Sequence, residues 1–188
     1  MNPTPAASAP QNTSVPARVA GRDASLSNGT QRSLDQPDRR LPVRLRSPDL
    51  DLDVAVIPVG VDRSTGEMEI PDRPTVAGWY RYGPSPGQPG SAVLAAHIDS
   101  RRYGIGPFEA LRRAAPGTSI EVAFEDGTSQ VFVVTGRQQF GKRDLPVDEL
   151  FRREGGPTLT LITCGGAFDR SLGRYEDNVV VVAEPASG

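Results

Sequence analysis

The chain has 188 residues, with 21 Lys plus Arg against 23 Asp plus Glu, a formal net charge of -2 and 37% hydrophobic residues. That length fits one domain and a tail, and the balance of charge and apolar content argues for a folded core rather than a disordered chain. No basic patch with interleaved aromatics occurs, so the electrostatic footprint of a DNA or RNA binder is missing.

The basic residues are almost all arginine, and Lys142 is the only lysine. Because the arginines are scattered, they read as the codon bias of a high-GC genome rather than as a phosphate site. No run of about 18 apolar residues exists, so no transmembrane helix is expected. The N-terminus lacks a basic segment followed by an apolar one, so it is not a signal peptide as it stands. The protein is then either cytosolic or separated from a membrane anchor.

Residues 1–40 are rich in Pro, Ala, Ser, Asn, Gln and Arg and hold almost no large apolar residues. A disordered N-terminal linker is expected there, and a folded domain over 41–186. From Leu41 the pattern changes to short β segments. Leu50, Leu52, Val54 and Val56 alternate through DLDLDVAV, which is strand periodicity, and Thr65-Gly66 marks a turn. SAVLAA (91–96) is a short apolar run behind the turn-rich GPSPGQPG. Ile120, Val122 and Phe124 alternate up to Asp126-Gly127, and QVFVV follows, which predicts a β-hairpin. TLTLIT (158–163) and DNVVVVA (177–183) predict two more strands.

Helical signal is scarce. PFEALRRA (107–114) starts on a proline and precedes Pro-Gly, which suits one or two turns, and PVDELFRR (146–153) suits another short helix. Many short strands with Gly/Pro turns predict an all-β barrel or sandwich with minor helices. At about 145 residues, such a domain can bury a real core.

Cys164 is the only cysteine, so a disulfide within the chain is impossible. It is either a small buried hydrophobe or a reactive thiol. It directly follows TLTLIT and precedes Gly165-Gly166, so it is expected at a strand end, which favours the reactive reading. His97, the only histidine, closes SAVLAA in the same way. A lone histidine is commonly structural, but a cysteine nucleophile needs a proton partner near neutral pH, and histidine is the usual one. GGAFDRSLG between Cys164 and Arg174 reads as a loop. If its flanking strands pair, Arg174 opens the second of them and a fixed guanidinium there could stabilise an oxyanion. Arg170 competes on distance alone, from mid-loop.

One His and one Cys do not make a closed zinc site without carboxylates. The acidic residues of DLDLD (49–53) read as a solvated strand face, and no D-x-D-x-D-G calcium loop occurs. No Walker or dinucleotide glycine motif is present; GIGPF lacks the third glycine.

TLITC (160–164) fits the TLxTC signature of sortases, and the chain resembles that family. Its cysteine ends a strand, an arginine opens the next, here Arg174, and a histidine lies upstream, here His97. Within the family it is most similar to class F of the actinobacteria, through VAGWYRYGPSPGQPGSAVL (76–94), HID (97–99), ITCGGAFD (162–169) and RYEDNVVVVA (174–183). The resemblance covers roughly residues 43–184. One departure is Ala96, where the family commonly has glycine.

The resemblance implies a sortase-like closed β-barrel of about eight strands and a cysteine transpeptidase with catalytic residues His97, Cys164 and Arg174. It implies cleavage of an LPXTG-type sorting signal between Thr and Gly through a thioacyl-enzyme, then transfer to an amine of a peptidoglycan precursor. No cofactor, metal or nucleic acid is implied. The implied place is the extracellular face of the cell membrane, reached only through an anchor, and a monomer is the default. Two alternatives stay open: a pilin-polymerising sortase with a lysine acceptor, and a catalytically silent β-barrel module that binds peptide or cell wall. A papain-like protease fits less well, because a strand rather than a helix leads into Cys164.

Overall fold

Leu45, Leu52, Val54 and Val56 point inward from the first two strands, and this alternation begins the barrel wall. The structure is a computed structural model that describes residues 39–169 and 174–187; of the side chains at 167–169 and 174, too, nothing is described. Most of the expected linker, residues 1–38, lies outside the described residues. Arg39 and Arg40 are described, and both pack on the barrel. Arg39 lies 4.6 Å over the Trp79 ring and donates to the carbonyls of Arg81 and Gly83. Arg40 lies 4.2 Å over Phe124 and donates to Gln130.

The strands are β1 (Pro42–Ser47), β2 (Leu52–Val59), β3 (Val76–Tyr80), β4 (Ser91–Ala95), β5 (Asp99–Ser100), β6 (Gly104–Ile105), β7 (Ser119–Phe124), β8 (Ser129–Gly141), β9 (Thr158–Asp169) and β10 (Arg174–Pro185). Eight of them close into a barrel in the order β1-β2-β3-β4-β9-β10-β8-β7, and β5 and β6 form a separate small hairpin. The expected closed barrel of about eight strands is therefore observed. Neighbours are antiparallel except β2 with β3 and β4 with β9, which run parallel.

The strand expected from residue 49 starts three residues later. Pro48 opens a 3-10 turn over Pro48–Leu50, and Asp51 closes it in the left-handed region at φ 52°. Proline supplies no N–H for a ladder and favours such a turn start. The predicted hairpin is β7–β8, and Gly127 at φ 81° supplies the turn its Asp-Gly dipeptide announces. The two helical segments appear as a 3-10 helix over Pro107–Arg113 and a single α turn, α1 (Val147–Leu150). Among the described residues, no helix is long and apolar enough to cross a membrane.

Two apolar layers sandwich the wall made by β4, β9 and β10. Inside lie Trp79, Leu94, Phe132, Leu159, Leu161, Val179 and Val181. Outside, Val93, Ala95, Ile162 and Val180 pack with Leu150 and Phe151 from the segment around α1. Burial on both faces explains why SAVLA and VVVV read as continuous apolar runs instead of alternating ones.

Candidate active site

The site is built where β4 leaves the sheet beside β9. Their parallel register pairs Leu94 with Leu161 and Ala95 with Ile162. Two further bonds carry it onward: the Ala96 N–H donates to the Ile162 carbonyl at 3.3 Å, and the Thr163 hydroxyl donates to the Ala96 carbonyl at 2.9 Å. β4 ends at Ala95, and His97 and Cys164 are the residues that follow the last tied positions, Ala96 and Thr163. His97 and Cys164 are both half-buried, and the Cys164 thiol is free.

Cys164 does not end its strand, as its glycine neighbours suggested. β9 continues through it to Asp169, paired with β10. The glycines serve a β-bulge between Tyr175 and Asp177 rather than a loop. A Cβ on Gly165 would lie 2.5 Å from a Val179 methyl, and one on Gly166, at φ +74°, would lie 2.3 Å from the Asp177 carboxylate. Close backbone approach therefore fixes glycine at both positions.

Arg174 opens β10, as expected, and its backbone pairs with Asp169. The residue opposite Cys164 is Asn178. Arg174 thus enters the ladder five positions beyond Cys164 along β9; its side chain and the rival Arg170 lie outside what is described.

A second tie runs from the His97 loop to β10. The Tyr175 hydroxyl donates to the Asp99 carboxylate at 2.6 Å, and the Arg112 guanidinium lies 5.7 Å over the Tyr175 ring. The hydrogen bond to Asp99, then burial, holds the Tyr175 phenol above its ordinary pKa. Asp99, two positions after His97, is thereby joined to the residue after Arg174.

Lys142 escaped sequence reasoning. Its ammonium lies 3.4 Å from Cys164 Sγ and donates to Asn178 Oδ1 at 2.8 Å. Its status as the sole lysine was visible, but its place beside the thiol depends on β10 lying between β8 and β9. No group of three or more His, Cys, Asp or Glu side chains that could hold a metal is assembled among the described residues.

A family model described as a sortase domain matches residues 45–186. No curated protein matches the chain in sequence. Among solved structures, the fold is similar to a lid mutant of sortase A from Corynebacterium diphtheriae, with a TM-score of 0.59 at 17% identity over 81% of this chain and 74% of that one. It is also similar to sortase C-1 from Actinomyces oris, with a TM-score of 0.57 at 21% identity over 78% and 76% of the two chains. Sortase C from Clostridium perfringens SM101 aligns with a TM-score of 0.55 at 15% identity over 79% and 71%.

Proposed function

The chain belongs to the sortase family of cysteine transpeptidases, and from that premise we propose that it cleaves an LPXTG-type sorting signal between Thr and Gly and transfers the acyl part to a peptidoglycan-precursor amine. The observation that supports this reading is that the last tie between the β4 and β9 segments, from Thr163 to Ala96, immediately precedes the sole cysteine and the sole histidine.

In the first half-reaction, the Cys164 sulfur attacks the Thr carbonyl carbon and the carbonyl oxygen takes up negative charge. His97 delivers a proton to the glycine nitrogen, the C–N bond breaks and a thioester remains. In the second half, His97 takes a proton from the incoming amine as its nitrogen attacks the thioester, and the sulfur leaves. Arg174 holds the substrate and stabilises the oxyanion in both intermediates, a role suited to its planar set of donors. The enzyme works at the extracellular face of the membrane, reached through an anchor, where class F-like sortases would meet secreted proteins.

The test follows the protein by intact mass with an LPXTG peptide, with and without a glycine-based amine, beside Cys164→Ala. The expected result is an acyl adduct that needs Cys164 and discharges onto the amine. A folded protein that neither forms the adduct nor cleaves LPXTG or other sorting peptides would refute the reading and leave the silent binding module. A lysine side-chain amine in a parallel arm reports on the pilin-polymerising alternative.

A further inference from the structure

Two neighbouring strands and the turn beyond a third present Cys164, Asn178 and Lys142 to one another. β10 lies between β8 and β9, and Asn178 pairs with Phe140 on one side and Cys164 on the other. Just beyond β8, the Lys142 N–H donates to the Glu176 carbonyl at 3.2 Å, and Asp144 N–H closes a turn onto the Gly141 carbonyl at 2.9 Å. The backbone of the only lysine is therefore tied to β10. Its side chain is tied a second time, through Asn178 Oδ1 at 2.8 Å, with Nζ then 3.4 Å from Sγ. None of the ion pairs among the described residues involves Lys142, so no described carboxylate claims its charge.

We propose that Lys142 is a fourth active-site residue, whose ammonium holds and stabilises the anionic sulfur of Cys164. This rests on the transpeptidase reading above. Negative charge resides on that sulfur at two points: before it attacks the Thr carbonyl, and when it leaves as the amine takes the acyl group. A cation in contact lowers the energy of both states, and Asn178 spares it part of the entropy cost of being held there. Lys142 exchanges no proton in this role. Lys142 is exposed, so water screens the effect and the consequence is moderate.

The test uses the full chain and needs no sorting peptide for its first arm. Cys164 is alkylated with anionic iodoacetate and with neutral iodoacetamide, and the two rates are compared by intact mass. An ammonium beside the sulfur favours the anionic reagent, so Lys142→Gln is expected to lower the rate ratio by about fivefold, the scale of an exposed charge contact. Lys142→Arg keeps a cation and is expected to retain most of the ratio. Asn178→Ala frees the ammonium and is expected to fall between the two. In the second arm, Lys142→Gln lowers kcat for transfer by a similar factor while KM for the peptide moves less than about twofold. An unchanged alkylation ratio in folded Lys142→Gln overturns the proposal, even if the wild type transfers peptide normally. A lowered ratio in a protein that transfers no peptide supports the Lys142–sulfur contact and refutes the transpeptidase reading instead.

Discussion

Replacing Thr163 with valine keeps the shape of the side chain and removes one hydroxyl. That hydroxyl is buried at 3% exposure, and its 2.9 Å bond to the Ala96 carbonyl is the last tie before His97 and Cys164. The substitution leaves a buried carbonyl short of a donor, which costs about 1–3 kcal/mol. For a domain near 150 residues, each kcal/mol moves Tm by about 3 °C, so Thr163→Val is expected to melt about 3–9 °C lower. The functional loss should be larger than this stability loss implies, because the bond fixes the chain immediately before His97. Transfer assayed well below the lower Tm is expected to drop at least about tenfold, since a misplacement near 1 Å costs more than that in a positioned reaction. Thr163→Ser restores the hydroxyl and is expected to recover most activity. Equal Tm and equal kcat/KM in wild type and Thr163→Val would refute the claim that this bond keeps the register of the site.

Tyr175→Phe removes the 2.6 Å bond to Asp99 and is expected to lower both stability and transfer. Because the phenol pKa is raised in the fold, its contribution is fully present below the ordinary tyrosine value near 10 and is lost as pH rises through the raised value. Alkaline melting curves of wild type should therefore converge on those of Tyr175→Phe, and the variant should lose the latest component of the tyrosinate absorbance titration. Asp126 shows the opposite sign. The Thr128 hydroxyl at 2.6 Å and N–H at 2.9 Å hold its carboxyl below the usual range, so its contribution is present above about pH 3.9 and lost as pH falls through the lowered value. The Tm gap between wild type and Asp126→Ala is expected to close in acid; a constant gap down to pH 2 would contradict this. Phe132→Ala empties a fully buried position inside the barrel and is expected to cost about 3–5 kcal/mol by denaturant unfolding.

Most of the barrel was legible because its strands carry local signals. The alternation of Ile120, Val122 and Phe124 with an Asp-Gly turn announces β7–β8. Apolar runs announce β4, β9 and β10, whose two faces are both buried. The β5–β6 hairpin was not legible, since two-residue strands have no period to read. The course of β9 past Cys164 was hidden by Gly165-Gly166, a pair that signals a loop locally but here answers a steric demand from Val179 and Asp177 across the strand. Cys164 and His97 stood out as sole representatives of reactive residue types. Lys142 and the Tyr175–Asp99 tie did not, because each depends on lateral strand order, which only the closed sheet defines.

The parallel pairing of β4 with β9 also sets when the chemistry can begin. The Thr163–Ala96 bond joins residues 67 positions apart, and a parallel pair cannot form as a local hairpin. Contacts of such long sequence separation must bear the full loop-closure entropy, which makes them slow to form during folding. The antiparallel β7–β8 hairpin can assemble from neighbours, whereas the segments that carry His97 and Cys164 are joined only once the β4–β9 seam has closed. A partly folded chain therefore carries Cys164 and His97 on segments that are not yet joined.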